Sequence, residues 1–150
     1  PMMKMIHPVA GTLALATILS FWLSTLLSEL FADAATVALV KSLIPWGFLI
    51  LVPAMALAGM SGFRLGKTWR GPVVAQKRKR MPVIAVNGIL ILIPAALYLS
   101  AKAQAGAFDT SFYIVQGLEL VAGAVNITLL GLNMRDGLQL SGKRRRVPAR

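Results

Sequence analysis

Apolar positions along the chain gather into four long runs, covering roughly residues 8–31, 37–63, 81–103 and 108–133, with short polar or basic stretches between them. Each run is long enough to cross a hydrocarbon core about 30 Å thick as a helix. The first continues past Ser20 to Phe31, so it reads as a span rather than the shorter core of a cleavable leader. Polar residues inside the runs keep a helical phase. In the first, Ala10, Ala14, Thr17, Ser24 and Ser28 make a small-residue seam suited to close helix packing. Pro45 and Pro53 interrupt the second, which is the run most expected to bend. In the third, Asn87, Ile91, Pro94 and Tyr98 share a face.

The fourth run organises the reading, because Glu119 lies near its middle. A carboxylate at membrane depth costs roughly 2.5–3.5 kcal/mol on insertion scales, so it needs a partner, a wet cavity or a proton. At 100° per residue, Gln116, Glu119, Gly123, Asn126, Leu130 and Asn133 fall on one side of this helix. Gly117, Val121, Ala124, Thr128 and Gly131 form a second, small-residue stripe that would let another helix approach closely.

Composition agrees with the pattern: the chain is 57% hydrophobic and only 14% charged, which places it among polytopic membrane proteins. The net charge of +11 would point to nucleic acid in a soluble chain, but the cations alternate with the spans. Residues 64–80 are rich in Lys and Arg and contain no acid, and the tail, 134–150, is also basic. With four spans, one side of the membrane collects every Lys and Arg except Lys41 and Lys102. The positive-inside rule then puts both termini in the cytoplasm of a bacterial-type inner membrane. The basic loop is expected to be broken by Gly66, Gly71 and Pro72, with Trp69 as an interfacial anchor, and the tail is expected to be mobile. Lys41 is expected to snorkel outward, away from Glu119, and Glu29, Asp33, Asp109 and Asp136 are assigned to membrane surfaces.

The candidate chemistry is sparse. The absence of cysteine excludes disulfides and thiolate sites, and a single histidine excludes a bis-histidine haem within one chain. Burial disfavours the charged form of Glu119, so it could take and release a proton, with Gln116, Asn126 and Tyr98 lining the same polar site. His7, just before the first run, is the candidate cofactor ligand, for haem b or a quinone. Lys77, Arg78, Lys79 and Arg80, and the 143–146 run, are suited to anionic lipid headgroups. No phosphate loop, zinc-protease motif or nucleophile elbow is present, so the reading leans away from an enzyme.

The sequence therefore predicts an all-α, transmembrane four-helix bundle running up-down-up-down, one integral membrane domain. Its leading functional expectation is a proton- or cation-coupled small-solute transporter. The alternatives are a redox module holding one haem or a quinone, and a non-catalytic accessory subunit. The expected partners are the bilayer and a second copy or a partner membrane subunit, with no nucleic acid.

Overall fold

The computed structural model describes all residues except 1, 67–70 and 147–150, and all their side chains except those of Met3 and residues 140–146. It is an all-α bundle. The helices are α1 (Met2–Phe31), α2 (Ala34–Gly66), α3 (Pro72–Asn87), α4 (Ile93–Gln104) and α5 (Thr110–Arg146), with a single wide turn, Gly88–Leu92, joining α3 to α4 into one rod. Lys4–Phe31, Ala34–Gly66, Pro72–Gln104 and Thr110–Gln139 are each long and apolar enough to cross a membrane, which marks a multi-pass membrane protein.

The helices reach further than the apolar runs suggest. Residues 72–80, expected as loop, are instead the first turns of α3; Pro72 opens that helix, and Gly71 before it takes φ 126°, a conformation that favours glycine. The start of the tail is helical too. The 37 residues of α5 measure about 55 Å, more than a bilayer core needs, so its basic end projects beyond it. Trp69 and residues 147–150 lie outside the described residues, as do the side chains of 143–146. Pro94 cannot donate to the helix ladder, and the wide turn preceding it, closed by the Ile93 N–H on the Gly88 carbonyl, absorbs the mismatch.

Around the bundle α1 packs on α2 and α5, and the α3–α4 rod packs on α2 and α5, leaving α1–α4 and α2–α5 as the diagonals. The α1–α2 pairing is intimate: a Cβ on Gly47 would overlap the Phe21 ring. The buried face of α1 runs through Ala10, Ala14, Ile18, Thr25 and Ser28, so the predicted seam holds at its ends and drifts by one residue in the middle. Two apolar clusters fill the interior. Val37, Leu99, Ala103 and Phe112 close the end with the short links. Ile18, Ile84 and Leu130 fill the half towards the basic end.

Candidate functional site

Between those apolar clusters lies a polar layer. Trp22 on α1 donates its indole N–H to the Leu120 carbonyl at 2.8 Å, which fixes the register of α1 against α5. One turn on, Thr25 is buried, and its hydroxyl accepts from Lys41 Nζ at 3.4 Å. Lys41 Nζ also donates to Glu119 Oε1 at 3.0 Å; Lys41 is 1% exposed and the Glu119 side chain 13%. The expectation that Lys41 snorkels away from Glu119 is therefore overturned. Because α2 begins at Ala34, Lys41 sits about 10 Å inside the helix start, and Glu119 about 13 Å inside that of α5. The two are nearly level, and the flexible lysine stem crosses the α2–α5 diagonal.

The pair uses only half of the carboxylate. Glu119 Oε2 is buried without a hydrogen-bond partner, and so are Gln116 Oε1 and Glu29 Oε1. Gln116, 6% exposed, sits one turn from Glu119 towards the short links. Glu29, assigned by sequence to the membrane surface, turns an oxygen inward from α1.

The other expected members lie elsewhere. Asn126 is buried but belongs to a clamp between α5 and α3. Its Oδ1 accepts from Asn87 Nδ2 at 2.8 Å, its Nδ2 donates to the Ile84 carbonyl at 3.2 Å, and Asn87 Nδ2 also reaches the Ala122 carbonyl at 2.8 Å. Tyr98 does not meet Gln116 or Glu119; its exposed hydroxyl donates to Ser111 Oγ, which donates to Asp109. Asp109 also takes Lys102 Nζ at 2.6 Å and the Phe112 N–H, and these donors hold its carboxyl far below the usual carboxylate range.

No protein-family model, curated protein or solved structure matches the chain. A functional reading must therefore rest on the chemistry of these residues.

At the basic end, His7 Nδ1 contacts the Ala58 carbonyl at 3.0 Å and Ser61 Oγ at 3.1 Å. The carbonyl can only accept, so Nδ1 carries the proton and Nε2 is the nitrogen left for a ligand. The ring packs on Gly62, where a Cβ would come within 2.7 Å of Cε1, so the histidine is seated as a packing residue of the α1–α2 seam. Among the described residues no group of three or more His, Cys, Asp or Glu side chains could hold a metal ion. Of the basic run, Lys79 and Arg78 are exposed, whereas Arg80 turns towards α5 and bonds Asp136 Oδ2 at 2.5 Å and Asn133 Oδ1 at 3.2 Å. Asp136, assigned by sequence to a membrane surface, lies near the end of its span and is 3% exposed, and its Oδ1 takes the Arg135 guanidinium at 3.3 Å.

Proposed function

We propose that the protein is a small membrane transporter whose cycle is coupled to a proton or cation through the Lys41–Glu119 pair. The observation that carries this reading is a buried, one-to-one ion pair across a bundle diagonal with one carboxylate oxygen left unsatisfied. Buried ion pairs are weak evidence for stability, since apolar residues of similar volume often do as well. Ionisable groups retained at membrane depth more often mark a pathway. Protonating Glu119 would remove the counter-charge of Lys41, and a cationic solute could displace the ammonium. Either event would loosen the hydrogen-bonded tie between α2 and α5 across the diagonal.

The same reading places the basic end in the cytoplasm of an inner membrane, with Lys77, Arg78 and Lys79 near anionic headgroups. Gly117, Val121 and Thr128 are exposed on α5, and a Cβ at Gly117 or Gly131 would meet nothing, which suits contact with a second copy.

Infrared difference spectroscopy between neutral and mildly acidic pH tests the coupling. A protonated-carboxyl band that Glu119→Gln removes is expected, together with proton release when a transported cation is added in weak buffer. If no band depends on Glu119, the reading fails.

A further inference from the structure

The apolar cluster that closes the short-link end draws its buried members from α2, α4 and α5 and none from α1. On the α1 side of that cluster the inward residues are polar: Thr25, Ser28 and Glu29. The Trp22–Leu120 bond sets the facing register, and since α1 and α5 run antiparallel it brings Glu29 about one turn beyond Gln116. The three buried oxygens without partners, Glu29 Oε1, Gln116 Oε1 and Glu119 Oε2, therefore descend in order from the short-link end to the ion pair.

All three are acceptors, and a buried acceptor without a donor loses its bonds to water with nothing in return. Gln116 is the most telling, because an amide 94% out of solvent cannot relieve its orphan oxygen by ionising. The charged groups on the two helices packed against α1 here are Lys41 on α2 and Glu119 on α5; Tyr113 is exposed, Asp33 lies in the α1–α2 link, and Lys102 and Asp109 bind each other. With Lys41 and Glu119 cancelling, Glu29 leaves one negative charge unmatched. The lack is of one positive charge with affinity for oxygen.

We propose that Glu29, Gln116 and Glu119 bind one small monovalent cation, a proton or an alkali ion, in a polar seam along α1 that leads from the short-link end to the ion pair. Glu29 is the entry carboxylate, Gln116 the neutral relay and Glu119 Oε2 the inner oxygen. This deepens the coupled-transport reading by giving the side of entry and a second carboxylate, and it rests on that reading only for the use made of the bound ion.

Trp22 provides the readout, since its indole bonds the residue after Glu119. In full-length protein in nanodiscs, with Trp46→Phe and Trp69→Phe leaving Trp22 as the single tryptophan, fluorescence is followed while NaCl, KCl or LiCl replaces choline chloride at fixed pH. It is followed separately as pH is lowered without alkali ions. A saturable alkali response identifies a metal ion, and a pH response without one identifies a proton. Either response is expected to vanish in Glu29→Gln, to need about tenfold more cation in Gln116→Leu, and to persist in Asp109→Asn, which keeps its cap on α5. Gln116→Leu guards against a folding failure of Glu29→Gln. The proposal is overturned if neither titration gives a signal, or if Glu29→Gln folds and leaves the signal unchanged. In that last case a signal still lost in Glu119→Gln keeps the coupled ion pair and removes only the seam. Binding without any solute-linked proton release would do the reverse.

Discussion

Among the described residues, two ion pairs join another helix to α5, and they are built in opposite ways. At the basic end, Asp136 has donors on both oxygens, Arg80 on one and Arg135 on the other, while Asn133 takes up a further guanidinium proton. In the half towards the short links, Glu119 has a single donor and shares its surroundings with two more unsatisfied oxygens. A saturated carboxylate in cationic company has nothing left to bind, and its role is to pin α3 to α5. An undersupplied carboxylate in an acceptor-rich layer is open to a proton or cation. The Asn87–Asn126 clamp between them belongs with the saturated class, since its hydrogen bonds close on one another and on backbone carbonyls.

Removing one partner from each pair should expose this asymmetry. Lys41→Met strands Glu119 and should destabilise by roughly 3–5 kcal/mol in a reversible detergent unfolding titration. Adding Glu119→Leu should recover most of the loss, because two apolar residues need no donors. A double variant no more stable than Lys41→Met would show that the layer is held by something other than charge pairing. Arg80→Met should cost less, about 1–3 kcal/mol, because Arg135 still serves Asp136. Equal losses at the two sites would erase the distinction. Asn126→Leu tests the neutral clamp. Its cost should fall near or below about 2 kcal/mol, the upper range for polar contacts between membrane helices. Any proton uptake at the Lys41–Glu119 layer should be unaffected, and a shift in that uptake would put Asn126 back among the proton-site residues.

The spans, the inward face of α5 and its outward small stripe were legible because a membrane helix must keep one phase along its length: Gln116, Gly123, Asn126, Leu130 and Asn133 are all buried, and Glu119 nearly so. What escaped depends on where helices start. Setting helix two at residue 37 rather than Ala34 raised Lys41 by about 4.5 Å, enough to turn a buried partner into a snorkelling one. Glu29 and Asp136 do lie near span ends, as the sequence reads them, but Glu29 Oε1 and the Asp136 side chain are also buried, which position along a span does not reveal. Asn87 and Asn126 carry no mark in the sequence to say whether an amide lines a cavity or clamps a neighbour. Only the facing register of α3 and α5 decides it.

The smallest expected effect isolates the site from its rim. Asp109, in the link outside the spans, has its carboxyl held well below the ordinary range first by Lys102, then by Ser111 and the Phe112 N–H. A depressed folded value means that this contact contributes fully at pH above the unfolded carboxylate value, about 4. It is lost only as pH falls further, through the folded value. Between neutral and mildly acidic pH the rim is therefore silent, and Asp109→Asn should leave the fluorescence and infrared titrations unchanged there. The stability difference between wild type and variant should be present at neutral pH and shrink only in the strongly acidic range, where the wild-type protein loses the contact as well. The exposed, solvated position of Asp109 and Lys102 keeps that effect small. A neutral-range titration abolished by Asp109→Asn would move the pH response from the buried layer to the surface, and the contrast between a saturated and an undersupplied carboxylate would no longer explain it.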